Sequence, residues 1–245
     1  MIQLKNSLLN RFLYHHQTMK IVRCFKTYLF DSYALKSYSQ EGEDMILKRI
    51  FENQATGFYV DVGAHHPKRF SNTYYFYKKG WHGINIDAMP GSMKPFEKLR
   101  KRDINIEKAV SEEQKELIYY IFNDPALNGL SKEPSENHNS RKYYIVSKIN
   151  LKTSTLEEIL TKYLPQEQQI DFLSVDVESL DLQVLKSNNW EQYRPRVVLV
   201  EAFQSMLENI SNGKIYQYLK AKEYLLYAKT VNTMIFISDL TLIHH

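Results

Sequence analysis

The stretch GFYVDVGAHHP, Gly57 to Pro67, decides how the rest of the chain is read. Phe58, Tyr59, Val60 and Val62 are aromatic or β-branched, the residue types of a strand inside a sheet. Gly63 then lets the backbone turn tightly and approach a ligand with no Cβ in the way. A second apolar run, Gly83-Ile84-Asn85-Ile86-Asp87, ends in a carboxylate one strand–helix–strand unit downstream. In open nucleotide-binding α/β folds the acid at the end of the second strand commonly reaches ribose hydroxyls. The pair therefore points to a cofactor that carries a nucleoside. The plain alternative is that Asp61 and Gly63 only end a strand at a turn.

The residues after Gly63 exclude a dinucleotide. Ala64, His65 and His66 supply no glycine rhythm for a G-x-G-x-x-G pyrophosphate cradle, and no G-x-x-x-x-G-K-[ST] loop occurs. One glycine and a downstream acid suit a cofactor with a ribose and no phosphates, such as S-adenosylmethionine.

Alternating strand and helix patterns continue around this centre. SQEGED is expected to open a helix capped by Ser39, with Met45, Ile46, Leu47, Ile50 and Phe51 as its buried face. Strand 58–62 is followed by a helix from Ser71 to Tyr77 closed at Gly80, strand 83–87, helix 92–101 and strand 104–110. Two further strands, 117–122 and 142–151, flank a polar loop, Ser131–Arg141. A helix capped by Thr153 or Ser154 precedes the nearly continuous apolar strand 171–177, the pattern of a sheet covered on both faces. Helix 180–185, strand 196–200, helix 215–222 and strands 224–230 and 233–238 complete the series. The expected fold is α/β, a doubly wound, mostly parallel sheet with an antiparallel end.

Composition sets bounds on class. With 245 residues, 43% hydrophobic and 24% charged, the chain reads as one soluble α/β domain with an N-terminal extension. The single cysteine, Cys24, rules out an internal disulfide framework and fits a reducing cytoplasm. The formal charge of +4 is concentrated in residues 1–36, where Lys5, Arg11, Lys20, Arg23, Lys26 and Lys36 face only Asp31. The remaining 37–245 is near neutral, so no broad nucleic-acid footprint is expected. No run approaches the roughly 18–20 apolar residues of a membrane span, and the opening residues do not read as a signal peptide. Leu4, Leu8, Leu9, Phe12 and Leu13 recur at helical spacing. Such a basic amphipathic helix would either cover one side of the domain or lie on an anionic membrane.

The chain resembles the FkbM-type S-adenosylmethionine-dependent methyltransferases from about Tyr38 to Ser238. The segments that carry the likeness are SYSQEGED (37–44), GFYVDVGAHHP (57–67), SNTYYFYKKGWHGINID (71–87) and INIEKAVS (104–111). FNDPALNGLS (122–131), FLSVDVESLDLQVLKSNNW (172–190) and VVLVEAF (197–203) come next, in the family's order. The resemblance implies a Rossmann-like class I methyltransferase with a seven-stranded sheet whose final strand is antiparallel. It further implies that Asp61, Gly63 and Ala64 border the methionine part of the cofactor, and that Asp87 binds the ribose. Ala88, Ala109 and Val110 would flank adenine, and Gln40 and Asn72 would contact the amino-acid end. Two positions depart from the family pattern: His65 stands where asparagine is usual, and Ser179 where glycine is usual.

Methyl transfer to a hydroxyl needs an aligned acceptor and a group to remove its proton. Strand-end logic offers Asp176, Glu178, Glu201 and His65 as candidates, with Asp176 also placed to bind the cofactor's ammonium. Asp176 and Glu178 can both face the site only if the backbone turns between them; otherwise Glu178 caps the next helix. Three carboxylates and a histidine at one rim would also suit a divalent cation, but no dedicated ligand spacing supports one, and no metal is expected. The resemblance implies O-methylation of a glycan, nucleotide-sugar or other small molecule. A surface-polysaccharide sugar is favoured, with cytoplasmic work that the basic helix could place at the inner membrane face. A nucleic-acid methyltransferase is the alternative of different substrate, although no N/D-P-P-Y/F motif occurs. A non-catalytic binding module with the same fold is the other alternative.

Overall fold

The structure is a computed structural model that describes residues 34–124, 127–130, 142–178, 180–202 and 207–239. The expected N-terminal helix with Leu4 to Leu13, Cys24, the loop Ser131–Arg141 and Ser179 lie outside the described residues.

Among the described residues, ten strands form two sheets. They are β1 (Phe58–Val62), β2 (His82–Asp87), β3 (Ile104–Glu107), β4 (Ala109–Val110), β5 (Glu116–Phe122), β6 (Ile145–Ser154), β7 (Phe172–Val175), β8 (Val197–Glu201), β9 (Leu225–Lys229) and β10 (Thr233–Ile237). The helices are α1 (Glu43–Ile50), α2 (Tyr74–Lys78), α3 (Met93–Leu99), α4 (Leu156–Tyr163), α5 (Asp181–Lys186) and α6 (Lys214–Ala221), with a 3₁₀ turn at Leu207–Asn212.

The main sheet has seven strands in the order β3-β2-β1-β7-β8-β10-β9. β1, β2, β3, β7 and β8 pair in parallel, and β10 runs antiparallel to both β8 and β9. The chain winds outward from β1 to β3 and returns on the other side at β7. The crevice between the carboxyl ends of β1 and β7 is thus the switch point at which such sheets bind ligands.

Strand alternation divides the core in two. Phe58, Val60 and Val62 face one side with Val198, Val200, Met234 and Phe236, against residues of α4, α5 and α6. Tyr59 faces the other with Val197, Leu199, Ile235 and Ile237, against Leu47 and Ile50 of α1 and Phe76 of α2. That second layer holds an aromatic cluster: Trp81 lies 5.3 Å from Phe51 and 4.8 Å from Phe76 by ring centroids, and Phe172 lies 5.1 Å from Phe76. Each fully buried ring contributes about 1.5–3 kcal/mol of transfer free energy.

Several element boundaries differ from those expected. The predicted strand 104–110 divides at Lys108, whose N–H donates to the Asp87 carbonyl oxygen at 2.8 Å. Ala109 and Val110 then leave the main sheet to pair with Thr153 and Ser154. β4 therefore joins β6 and β5 in a separate three-stranded sheet that flanks the switch point. Because β6 runs on through Ser154, the cap of α4 falls to neither Thr153 nor Ser154. It falls to Thr155, in a capping box with Glu158.

Ser39 is likewise not the N-cap of α1, which begins after Gly42 at a φ of 88°. The fully buried Asp44 instead gathers the preceding segment, accepting hydrogen bonds from the hydroxyls of Ser37 and Ser39 and from the Tyr38 N–H.

Candidate active site

The turn after β1 is fixed by steric contact. Gly63 has a φ of +85°, and a Cβ placed there would come within 1.7 Å of the Asp176 carbonyl oxygen. Only glycine allows β1 and the segment after β7 to approach so closely. The N–H groups of Gly63 and Ala64 both donate to the Ile86 carbonyl oxygen, at 2.9 and 3.0 Å. His65 comes next, at a φ of +50°. Its N–H donates to one oxygen of Asp87 at 2.9 Å, while Met89 N–H donates to the other at the same distance. Asp87 thus locks the turns after β1 and β2 together, and each of its oxygens keeps lone-pair capacity for a ligand.

A cleft of about 130 Å³ opens over these turns. Ile86, Met89, Val110 and Tyr119 give it apolar walls; Gln40, Asp87, Asp176 and Glu178 give it polar ones. A smaller cleft of about 20 Å³ adjoins it, lined by Glu41, Glu43, Asn72, Glu201 and Asn232, and shares Gln40, Phe70 and Asp176 with the first. Gln40 is held at this junction through its neighbour. The Glu41 carboxylate accepts from Thr230 Oγ1 at 2.6 Å, Asn232 N–H at 2.8 Å and Asn232 Nδ2 at 2.7 Å, all in the turn between β9 and β10.

Of the residues singled out in the sequence, Gln40, Gly63, His65, Asp87, Ala88, Val110, Asp176 and Glu178 line the larger cleft. Asn72 and Glu201 line the smaller. Three do not reach either. Ala64 is buried against Met93 and Phe96, Ala109 is buried beside β6, and Asp61 is only 5% exposed.

The acids at the rim crowd one another. Asp176, Glu178 and Glu201 each bring a carboxylate oxygen within 4.8 Å of the others. Oxygen ligands of a hard cation converge in the same way, but so do exposed acids without one, and the cluster alone assigns no cation. The carboxyl groups of Asp176 and Glu201 hydrogen-bond to each other. Desolvation and the Asp176 charge push Glu201 well above the usual carboxylate range, so the pair resists losing its last proton. Its Oε2 is buried with no hydrogen-bond partner.

Glu178 has a φ of +53°. This is the turn that lets it face the cleft together with Asp176, and it does not cap the next helix, whose N-cap position, Leu180, carries no side-chain cap. Asp181, the first residue of α5, accepts the Val177 N–H at 3.1 Å. Desolvation, Asp176 and Asp181 push Glu178 up to about 7. Three residues lining the larger cleft, His65, Phe70 and Glu178, hold positive φ without being glycine, a concentration of backbone strain typical of functional sites. His66, in contrast, is a turn residue: its Nδ1 accepts the N–H groups of Lys68 and Arg69.

Sequence reasoning missed the contribution of the small sheet. Tyr119 of β5 lines the cleft, and burial with Asp87 and Glu178 nearby pushes its phenol far above its ordinary value. Gly129 pairs back onto Tyr120 in both directions, at 2.8 and 3.2 Å, which brings Asn128 to the cleft wall. No spacing rule links these residues to the β1 turn. Also missed was Arg100, fully buried beneath the turn.

The residues fit a nucleoside-bearing sulfonium. A cleft with a backbone-held carboxylate, apolar walls and an acidic junction matches a ribose, a flat base and a positively charged amino-acid end in turn.

Comparison with known proteins agrees. The profile described as "Methyltransferase FkbM domain" matches residues 61–226. No curated protein matches the chain. Among solved structures, a TehB-like SAM-dependent methyltransferase from Corynebacterium glutamicum is 7% identical, with a TM-score of 0.40 over 91% of this chain and 99% of that one. A putative O-methyltransferase from Klebsiella pneumoniae is 8% identical, also with a TM-score of 0.40, over 85% of this chain and 83% of that one. Those two likenesses are too distant to bear on the site. The profile match over most of the chain does: the chain belongs to the FkbM methyltransferase family, and its cofactor is S-adenosylmethionine.

Proposed function

We propose that this methyltransferase acts on oxygen, at a hydroxyl of a sugar, glycan or nucleotide-sugar, in the synthesis of a surface polysaccharide. The observation that carries the proposal is the position of Asp176. It lies on both clefts, beside Glu178 and Glu201, where a cofactor in the larger cleft and an acceptor reaching in from the smaller one would meet. Sugar hydroxyls are weak acids, so their methylation gains from a proton acceptor whose pKa lies near neutrality.

When bound, S-adenosylmethionine supplies an electrophilic methyl group on a sulfonium. Asp87 would hold the ribose, and Ile86, Ala88 and Val110 the base. Gln40 and Asn72 would orient the amino-acid end. Glu178, raised to about 7, takes the hydroxyl proton, or Asp176 takes it as the partner of Glu201. His65, at the same rim, is a further candidate for that role.

The remaining expectations belong to the same proposal. Residues 37–245 would form the methyltransferase domain, and the basic segment 1–36 would bring it to an anionic membrane surface from the cytoplasm. Among the described residues no helix is long and apolar enough to cross a membrane. The acidic character of the smaller cleft disfavours nucleic acid as acceptor, because phosphates would meet Glu41 and Glu43.

The test is a turnover assay that tracks S-adenosylhomocysteine release with nucleotide-sugars, oligosaccharides and RNA as acceptors. Release with a sugar acceptor, reduced about 10²-fold in Glu178→Gln or Asp176→Asn, supports the reading. Release with RNA alone, or full activity in both variants, rejects it.

A further inference from the structure

Arg100 is the largest charged side chain buried among the described residues, and its bonds to Pro67 and Thr73 lead toward the cofactor side of the sheet. Its Nε donates to Asp103 Oδ2 at 2.8 Å in an ion pair with no solvent exposure on either side chain. Nη1 donates to the Pro67 carbonyl oxygen at 3.0 Å, the last residue of the turn that begins at Gly63. Nη2 donates to Tyr59 Oη at 2.8 Å and to Thr73 Oγ1 at 2.9 Å. Thr73 in turn donates to Asp61 Oδ2 at 3.0 Å. Asp61 is also hydrogen-bonded to Ser174, whose Oγ accepts from Asn72 Nδ2 at 3.1 Å, and Asn72 lines the smaller cleft. An unbroken polar chain therefore runs from the guanidinium to the cleft wall.

The charges are arranged to leave one net anion. Asp103 balances Arg100 directly and is itself bound by Tyr59 Oη, Gly83 N–H and Asn85 Nδ2. Asp61 is left as uncompensated negative charge under the site, on the side where a sulfonium and an ammonium are expected.

Given S-adenosylmethionine in the larger cleft, on which the inference rests, we propose that Arg100 is a positioning residue for that cofactor. Through Pro67 it fixes the Gly63–Pro67 turn, and through Thr73 it fixes the Asp61 carboxylate beneath the cofactor's positive end. Lysine cannot replace it, since one ammonium cannot serve Asp103, Pro67, Tyr59 and Thr73 in their separate directions.

Titration offers a readout that simple loss of packing does not move. Burial pushes Asp61 up to about 6, while Arg100 and the bonds from Thr73 and Ser174 hold it down. The groups facing it are Arg100 from the end of α3, Thr73, Ser174 of β7 and Asp176, the last raising it further. Affinity for a cationic cofactor is thus present above about pH 6 and lost as pH falls through it. Taking away the Arg100 charge moves that loss to higher pH.

The experiment is calorimetric titration of the full chain with S-adenosylmethionine from pH 5 to 9, in a Glu178→Gln background that removes the titration of that cleft acid, each Arg100 or Thr73 variant being read as a shift against this parent. Arg100→Gln should bind about 10-fold more weakly or worse at neutral pH, with its midpoint shifted upward. Arg100→Lys should lose affinity with an unmoved midpoint. Thr73→Val leaves Arg100 its bonds to Asp103, Pro67 and Tyr59, and should shift the midpoint upward by less. An unmoved midpoint in Thr73→Val overturns the proposal even where Arg100→Gln does not fold. So does parental affinity in a folded Arg100→Gln. Absence of binding in the parent protein would overturn the cofactor site as well, which separates the two failures.

Discussion

Arg100 and Asp103 lie fully buried with each charge met by hydrogen bonds, whereas Asp176, Glu178 and Glu201 stand at the cleft with like charges facing one another. The first cluster joins Tyr59 of β1, Asn85 of β2 and Thr73 before α2 into one framework. The second is stretched between the turn after β7 and the end of β8, with a buried oxygen of Glu201 left without a partner. Interior charge that serves architecture is complete in itself. Charge that serves chemistry is left in tension, to be relieved by a cation or a proton.

Breaking the first cluster should give the largest effect. Asp103→Ala leaves the guanidinium buried and unpaired, and chemical denaturation should show a loss of about 3–5 kcal/mol. A loss under about 1 kcal/mol would mean that the framework is far less closed than its hydrogen bonds indicate. The second cluster should respond in the opposite sense. Glu201→Gln keeps a donor for Asp176 and removes a group that resists ionisation. It should therefore gain on the order of 1 kcal/mol at pH 8 while turnover falls. Destabilisation there would erase the contrast between the clusters.

The third effect is a slope. Asp61 and Glu178 are raised in the folded protein, to about 6 and about 7, so the native state holds more protons than the unfolded chain below those values. Stability is accordingly greatest toward mildly acidic pH and declines as pH rises through about 6 to 7. Thermal melts between about pH 5 and 8 should show this fall in Tm, flattened in Glu178→Gln and by saturating S-adenosylmethionine. A Tm that rises across that range would contradict the raised values.

How much of this was legible in the sequence depends on whether a residue acts along its own strand or across the fold. The main sheet was readable because Phe58–Val62 and Phe172–Val175 are buried on both faces and so carry continuous apolar runs. The β1 turn and Asp87 were readable because each sits at a strand end. The split at Lys108 was not, since nothing in INIEKAV marks where hydrogen bonding passes from one sheet to the other. Asp61, named as a cofactor contact, lies beneath the cleft because its side chain bonds Thr73. Arg100 was illegible for a related reason. In the run LRKR it looks like any basic residue at a helix end, and only Asp103 and Tyr59, brought over it by folding, give it an interior place.

The clasp on Glu41 has a temporal side. Gln40 stands at the meeting point of the two clefts because the neighbouring Glu41 is gripped by Thr230 and Asn232, nearly two hundred residues later. During synthesis, β1, β2 and β7 emerge and can pair before that grip exists. The ribosome must release Asn232 before the junction can close, so the site cannot be finished until nearly the whole chain has been made.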